Sequence, residues 1–293
     1  MQRSHPVLDR LARGENVFLQ GAVGDELLRK GYAPADPLRD AAAARDVPET
    51  LLGIYRAYVQ SGVDIVCAHT ANSSVRALAR GGIGMRAAAL TSRAVDLAVE
   101  AAASSGRTIA IAGVLGSLED PLRRGALPSA RTLADEHAEQ SHRLEASGCD
   151  LVVVQAMPTL VETIAATSAA RRHREHVWVH VRVGPELQAD IGPELARVVQ
   201  LVVASGATAL ILDGDASVDI AGAVAAVASL ALGVPIGIAP DAADEPAPRA
   251  VERLSAVAAK ALQRGARIVA GGRDVRPDVL RSLLTNMRVR AAA

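Results

Sequence analysis

The chain has 293 residues, half of them apolar, and its 32 Lys and Arg residues balance 32 Asp and Glu residues. That is enough apolar material for one large α/β barrel or for two smaller domains. A formal net charge of zero and an aromatic content of 2% argue against a nucleic-acid-binding protein, because such a surface needs a basic face and usually stacking aromatics.

Four stretches repeat one pattern, in which an Ala- and Leu-rich helical segment is followed by a glycine and then by an apolar run. The glycines are Gly62, Gly148, Gly206 and Gly265. A glycine suits the left-handed position that ends a helix, and the apolar run suits a strand buried on both faces. Each of the last two intervals holds two strand–helix units, so one unit has roughly 30 residues, the size of a βαβ module.

The sequence predicts eight strands, at Val17–Gln20, Val63–Ala68, Thr108–Gly113, Asp150–Gln155, Val177–Arg182, Thr208–Asp213, Val234–Ala239 and Ala266–Ala270. It predicts eight helices, near residues 49–60, 86–104, 131–146, 159–172, 192–204, 218–230, 247–263 and 276–288. This alternation predicts a single (β/α)8 TIM barrel that forms one domain over residues 1–293. The alternative is an open doubly wound sheet, which is less favoured because no dinucleotide glycine fingerprint is present.

Long connections follow strands two and three, at residues 70–85 and 114–130. Loops of this length are usually functional, and a barrel places its site at the carboxyl ends of its strands. The acidic, proline-containing stretch 241–248 after strand seven is a candidate for a mobile flap. The glycines within 113–116 and 271–272 can form anion-binding nests, although glycine pairs are common in barrel loops.

Site residues of a barrel come from the last position of each strand and the first residues of the loop that follows. This rule selects a polar set: Gln20, Asp25, His69, Asn72, Gln155, His180, Arg182, Asp213, Asp215, Asp241, Arg273 and Asp274. A carboxylate at a barrel mouth can serve as a general base, and an arginine can bind a carboxylate or phosphate. The alternative is that Asp25, Asp213 and Asp215 cap the loops or helices that follow them.

Histidines fall at two kinds of position. Trp178, His180 and Arg182 alternate along strand five, so they should share one face and direct the polar pair into the mouth. The alternative for His180 is a structural histidine that is hydrogen-bonded near the top of the barrel. His137 and His142 lie on a predicted helix between charged residues, and we expect both at the solvated surface.

The two cysteines, Cys67 and Cys149, do not have the spacing of a disulfide scaffold or of metal ligands. Cys67 is a candidate nucleophile, with a small buried hydrophobe as the favoured alternative. The polar amino terminus has no apolar signal segment, and no uncharged apolar run is long enough to span a bilayer. We therefore expect a cytoplasmic protein without a membrane or nucleic-acid partner.

Seven segments together resemble the homocysteine S-methyltransferase family, in the family's order and over nearly the whole chain. They are Gln20–Leu27, Ala68–Ser74, Ala112–Gly116, Gly148–Leu151, Gln155–Pro158, Val177–Val179 and Gly271–Gly272. The resemblance implies a (β/α)8 barrel whose family members bind zinc with three cysteines, one after strand six and two after strand eight. Zinc lowers the pKa of the homocysteine thiol and so makes the thiolate available as a nucleophile.

This sequence departs from the family at those positions. The strand-six cysteine corresponds to Asp213, and the strand-eight pair corresponds to Arg273 and Asp274. The acids that the family uses to hold the homocysteine amino group correspond to Gln20 and Gln155. We therefore expect no bound zinc and a changed substrate. The alternative is that Asp213, Asp274 and a histidine hold a harder metal, although oxygen-rich sites generally need more ligands than these.

The favoured function is therefore a metal-free member of this superfamily that transfers a methyl or similar small group between small molecules, with S-adenosylmethionine or S-methylmethionine as a candidate donor. Asp213 or Asp274 would be the general base, Arg273 would bind a carboxylate, and Asp25 and His69 would orient the substrate. Alternatives are a lyase, isomerase or hydrolase on the same barrel, or a non-catalytic partner protein. A homo-oligomer is left open.

Overall fold

The computed structural model describes residues 5–33, 40–119, 128–155, 157–184, 192–242 and 245–292, with side chains described to residue 288. Eight parallel strands form a closed barrel in chain order, with β8 pairing back to β1. The strands are β1 (Val17–Leu19), β2 (Ile65–Cys67), β3 (Ala110–Leu115), β4 (Leu151–Val154), β5 (Val177–Arg182), β6 (Ala209–Gly214), β7 (Ile236–Pro240) and β8 (Ala266–Ala270). The predicted TIM barrel is thus confirmed.

Helices surround the barrel, and each of the eight predicted ones is present within two residues at its start. The α-helices are α1 (Pro6–Ala12), α2 (Val23–Arg29), α3 (Ala43–Asp46), α4 (Pro48–Ser61), α5 (Val75–Ala79), α6 (Ala87–Ala103), α7 (Ala130–Ala146), α8 (Leu160–His173), α9 (Pro193–Ala204), α10 (Ile220–Ala228), α11 (Ala247–Gln263) and α12 (Pro277–Ala292). The prediction missed the short helices α1, α2, α3 and α5, which are too brief to show an apolar period of their own.

The four repeated glycines have the left-handed conformation that the sequence predicts. Their φ angles are 101° at Gly62, 83° at Gly148, 115° at Gly206 and 107° at Gly265. Each stands between a helix and the strand that follows it, so the chain reverses there at little steric penalty.

Six of the eight predicted strands differ from the observed strands by one or two residues at an end, and the second and third show the largest shifts with a visible cause. The second begins at Ile65 and not at Val63, because the carboxylate of Asp64 accepts hydrogen bonds from the backbone of Phe18 and from Arg10. The third runs to Leu115, since its last two residues continue the ladder with β4.

The barrel interior is filled by side chains at alternate positions of the strands. Trp178 on β5 is the largest of them, and it packs among Leu19, Val153 and Ile211. Val7, Leu8 and Leu11 of α1 belong to the same cluster, and Arg10 of that helix pairs with Asp64 at the start of β2. Helix α1 therefore closes the amino end of the barrel, and the interior is accessible from the carboxyl ends of the strands.

Within the described ranges, none of the helices combines the length and the apolar character that crossing a bilayer requires.

Candidate functional site

A cavity of about 360 Å³ lies at the carboxyl ends of the strands, a size suited to a small molecule. Its polar side chains lie at the next inward-facing positions of the strands, beyond the apolar residues that fill the barrel interior. His69 follows Ile65 and Cys67, Gln155 follows Val153, and Asp213 follows Ile211. The period of a β-strand thus places these polar groups on the inner face, above the apolar layers.

Eleven of the twelve polar residues selected from the sequence, all but Asp215, are the predicted catalytic or substrate-binding residues. Nine of these eleven line the cavity: Gln20, Asp25, His69, Asn72, Gln155, His180, Arg182, Asp213 and Arg273. The predicted face of strand five is confirmed, because Trp178 lies in the interior below His180 and Arg182. The other two residues, Asp241 and Asp274, are not among the lining residues and contact other groups.

Asp241 lies behind Arg273 and positions it. The Arg273 backbone N–H donates to Asp241 Oδ1 at 2.8 Å, and its Nε and Nη2 both donate to Oδ2, at 3.0 and 2.8 Å. The Asp241 side chain is 5% exposed, whereas that of Arg273 is 65% exposed. Burial raises the pKa of Asp241, and the bonds from Arg273 act against that rise. The predicted substrate ligand Asp241 is therefore placed as a support for Arg273.

The space around this pair is closely filled, and only glycine fits at position 272. A Cβ there would lie 2.6 Å from Asp241 Oδ1 and 2.6 Å from the carbonyl oxygen of Pro240. The Gly272 N–H donates to that same carbonyl, at 3.2 Å, and the N–H of Ala242 donates to the Arg273 carbonyl at 2.9 Å. Backbone bonds between the ends of β7 and β8 thus fix where Arg273 enters the mouth.

Asp274 turns away from Asp241 and pairs with α2. Its Oδ1 accepts from Arg29 Nη1 at 2.9 Å, and its backbone N–H donates to Asp25 Oδ2 at 2.9 Å. Its φ of 60° is left-handed, an uncommon conformation for a residue other than glycine. Asp25, in the first turn of α2, therefore both lines the cavity and holds the loop after β8.

Asp40 is a cavity residue that the sequence prediction missed. Its Oδ2 lies 3.2 Å from His69 Nε2, and its Oδ1 accepts from Asn72 Nδ2 at 2.6 Å. The histidine contact has the distance of an ion pair without the alignment of a hydrogen bond. Burial acts to lower the pKa of His69, but the Asp40 carboxylate outweighs it and the net pKa is raised. The backbone N–H of His69 donates to Tyr55 Oη at 2.7 Å, which fixes this histidine from below.

A second group of charges lies on β5 and β6. Arg182 and Asp213 are partners in the parallel ladder, and both line the cavity. His180 Nδ1 is 3.9 Å from Asp213 Oδ2, and both side chains are largely buried. A carboxylate held beside an imidazole and near a guanidinium can accept a proton from a bound molecule.

Gln20 and Cys67 complete the floor of the cavity. Gln20 Nε2 donates to the Cys67 carbonyl at 2.9 Å, while the buried Gln20 Oε1 has no hydrogen-bond partner among the described residues. That oxygen needs a donor such as a ligand N–H or a water. Burial raises the pKa of the Cys67 thiol to about 12, which disfavours the thiolate that a cysteine nucleophile requires.

Three predictions concern His137, His142 and Asp215. His137 was expected at the surface, and this is wrong: it is 1% exposed, with Nε2 at 3.2 Å from Glu162 Oε1. His142 is exposed as predicted. Asp215 caps its own loop, since Oδ1 accepts from the N–H and hydroxyl of Ser217.

The candidate loops are described only in part. Residues 120–127 of the connection after β3 and residues 243–244 of the proposed flap lie outside the described ranges. Asp241 and Ala242 at the start of that flap are buried, and their carbonyl groups accept from Arg253 Nη2 at 2.8 Å each. The connection after β2 contains α5.

The residues present do not fit a zinc ion held by thiolates. At the ends of β6 and β8 the cavity is lined by Asp213, Gly272 and Arg273, and a guanidinium cation repels a metal. The Asp274 carboxylate, which could add a ligand, is bound by Arg29. Across the described part of the chain, the only three-residue group of His, Cys, Asp or Glu with metal-binding spacing lies on α7 and α8, away from this mouth.

Known proteins provide an independent comparison. A selenocysteine methyltransferase from Astragalus bisulcatus is 28% identical over an alignment of 180 residues. The match covers 52% of this chain and 53% of that relative, so the chain spans about half of the relative's length. The metallated form of the homocysteine methyltransferase MmuM from Escherichia coli has a TM-score of 0.79 at 21% identity, covering 96% of this chain and 99% of that one. Its apo form has a TM-score of 0.72 at 20% identity, covering 94% and 97%. At these identities the structures show a shared fold.

The sequence family described as homocysteine S-methyltransferase matches residues 17–287, which is most of the chain. The barrel, the order of its motifs and this match agree, and the chain belongs to the homocysteine S-methyltransferase family.

Proposed function

We propose that this protein transfers a methyl or similar small group to a small-molecule acceptor other than homocysteine, and that it does so without zinc. The observation that carries the proposal is the presence of Asp213 and Arg273 on the cavity, at the strand ends where the family's resemblance places zinc-binding thiolates. The name of the relative from Astragalus bisulcatus supports a methyl group as the transferred unit.

A thiol acceptor gains reactivity from a metal that lowers its pKa, and the residues here do not supply that metal's ligands. A carboxylate can activate an acceptor with an O–H or N–H group in another way, by removing its proton as the new bond forms. Asp213 is suited to this role, since it lines the cavity beside His180. Asp274, the other candidate base, is bound to Arg29 and does not line the cavity.

The transfer step is balanced with a sulfonium donor such as S-adenosylmethionine or S-methylmethionine. The acceptor atom forms a bond to the methyl carbon as the carbon–sulfur bond breaks. The electron pair of the broken bond leaves with the sulfur, which becomes a neutral thioether. The acceptor proton goes to the Asp213 carboxylate, so neither an oxidant nor a reductant is needed.

The charges of the cavity suit a substrate that carries both signs. Arg182 and Arg273 can each bind a carboxylate through paired N–H groups. Asp25 and Asp40 also line the cavity, and their carboxylates can bind an ammonium or a sulfonium group. The unpartnered Gln20 Oε1 at the floor can accept a further N–H from the bound molecule.

The experiment is a methyl-transfer assay on the full chain, with both sulfonium donors, homocysteine and a panel of amino and hydroxy acids, read by mass spectrometry with and without EDTA. We expect an acceptor other than homocysteine to gain a methyl group at a rate that EDTA does not change. Asp213→Asn should lower kcat by about 10²–10⁴, while the matched control Asp215→Asn, two residues on, should stay within about twofold of the original rate. Homocysteine methylation that EDTA abolishes, or full activity of Asp213→Asn, would refute the proposal.

A further inference from the structure

Two helices on the outside of the barrel bring three metal-ligand side chains together at their carboxyl ends. His142 and Glu145 lie one turn apart near the end of α7, and His173 is the last residue of α8. Glu145 Oε2 is 2.8 Å from His173 Nδ1 and 3.7 Å from His142 Nδ1. One ligand atom from each residue lies within 4.8 Å of the other two. Because barrel helices run antiparallel to the strands, this cluster lies at the opposite end of the barrel from the cavity.

We propose that His142, Glu145 and His173 form a surface site for a divalent transition-metal ion, with Zn²⁺ as the best match. Two imidazole nitrogens and one carboxylate oxygen are a donor set that zinc uses, with water as a fourth ligand. Ligand atoms of a tetrahedral zinc site are about 3.3 Å apart, given bonds of roughly 2.0–2.1 Å. The two separations from Glu145 Oε2, 2.8 and 3.7 Å, lie on either side of that value, and the two histidine ligand atoms are within 4.8 Å of each other. Movement of the exposed His142 ring would bring the three ligands to the tetrahedral spacing.

The two rings are already arranged around a common point. Their centroids are 5.6 Å apart, and their planes are tilted by 56°, so they are not stacked face to face. His142 is 70% exposed, Glu145 41% and His173 24%. The ion can therefore enter from solvent, and no apolar packing needs to move. The existing bond between His173 and Glu145 is replaced by two bonds to the metal.

The electrostatic surroundings favour a cation. Both helices end here, and the unsatisfied carbonyl groups of a helix carboxyl end carry partial negative charge. The Glu145 carboxylate adds a formal negative charge, and its Oε2 lies between the two histidines. Arg174 is a cation near the cluster, and its Nη2 donates to the Glu145 backbone carbonyl at 2.7 Å. Its guanidinium is thus directed to the backbone of α7.

Zinc titration of the metal-free full chain tests this site by calorimetry and by thermal unfolding. We expect one equivalent of Zn²⁺ to bind and to raise Tm, because the ion links α7 to α8 in the folded state. His142→Ala and His173→Ala should each weaken binding by about 10–100-fold and remove the rise in Tm. His142 is highly exposed, so its variant should fold even if the His173 variant does not.

Glu139→Gln is the matched control, because Glu139 is an exposed acid on α7 that pairs with Arg143 and lies outside the cluster. It should bind zinc as the original protein does. Asp213→Asn tests the barrel mouth separately from this site. Zinc binding that survives both histidine variants, zinc binding lost in Asp213→Asn, or no binding at about 100 μM zinc would overturn the proposal.

Discussion

Replacing Asp40 by Asn should lower the pKa of His69. The two side chains are 3.2 Å apart, and His69 is only 10% exposed. An opposite charge this close favours the imidazolium and so raises the pKa of His69; each tenfold change in that equilibrium corresponds to about 1.4 kcal/mol. Burial acts in the other direction. Without the carboxylate, burial alone remains and the pKa should fall below its ordinary value.

The assay is a proton NMR titration of the histidine ring signals. The chain has seven histidines, and a His69→Gln variant assigns the relevant signal by its loss. Asp46→Asn is the control, since Asp46 pairs with Tyr32 and Arg45. An unchanged His69 midpoint in Asp40→Asn would show that the pair does not control this histidine.

The pair of His69 and Asp40 should also stabilise the folded protein more at low pH than at high pH. A histidine with a raised folded-state pKa contributes stability that is fully present below its unfolded pKa and is lost as pH rises through the folded value. Asp40→Asn should therefore destabilise the protein more at about pH 6 than at about pH 9, measured by urea unfolding. An equal loss at both values would mean that the effect comes from the lost Asn72 contact and not from the charge of His69.

Three further changes test the packing around the site. Gly272→Ala should destabilise the protein by at least about 2 kcal/mol in urea unfolding, because its Cβ would overlap backbone oxygens. The control is Gly53→Ala on α4, where the space is open. This variant should stabilise the protein by roughly 0.5–1 kcal/mol. Arg273→Ala should raise the pKa of Asp241 further, so the loss in Tm should grow as pH rises from about 4 to about 7; a loss independent of pH would contradict this. Glu162→Gln should cost about 3 kcal/mol in urea unfolding by breaking a pair with a buried histidine, and a loss below about 1 kcal/mol would show the pair to be uncharged.

The fold and most of the candidate site could be predicted from the sequence because both follow from short-range periodicity. The glycine after each helix and the apolar run after it mark the units, and strand parity then places His180, Arg182 and Asp213 in the mouth. His137 was misplaced although a signal was present. Leu133 and Leu144 share its helical spacing, and all three are buried, which is the pattern of an inward face.

The residues that could not be predicted are placed by tertiary contacts. Asp40 reaches the cavity from the loop after α2, where no strand-end rule applies. Gly24 leaves room for this position of the carboxylate, because a Cβ there would lie 2.8 Å from Asp40 Oδ2. Asp274 follows strand eight as directly as Arg273 does, yet its left-handed backbone and its bond to Arg29 direct it elsewhere. Neither contact can be predicted from the periodicity of the sequence, because each joins residues that are far apart in the chain.

The departures from the family at the mouth are coupled to one another by these contacts. Arg273 is the cation that compensates the buried carboxylate of Asp241, and an unpaired buried charge would cost on the order of 3–5 kcal/mol. Asp241 also accepts the Arg273 backbone N–H. It lies beside Gly272, where a Cβ would overlap both Asp241 Oδ1 and the Pro240 carbonyl oxygen. Replacing Arg273 by cysteine would remove the cation and leave the carboxylate in place. A thiolate added beside that carboxylate would bring two negative charges together without the ligand geometry of the zinc site. The contacts of Arg273, Asp241 and Gly272 are therefore mutually consistent, and this consistency supports the proposed metal-free reaction.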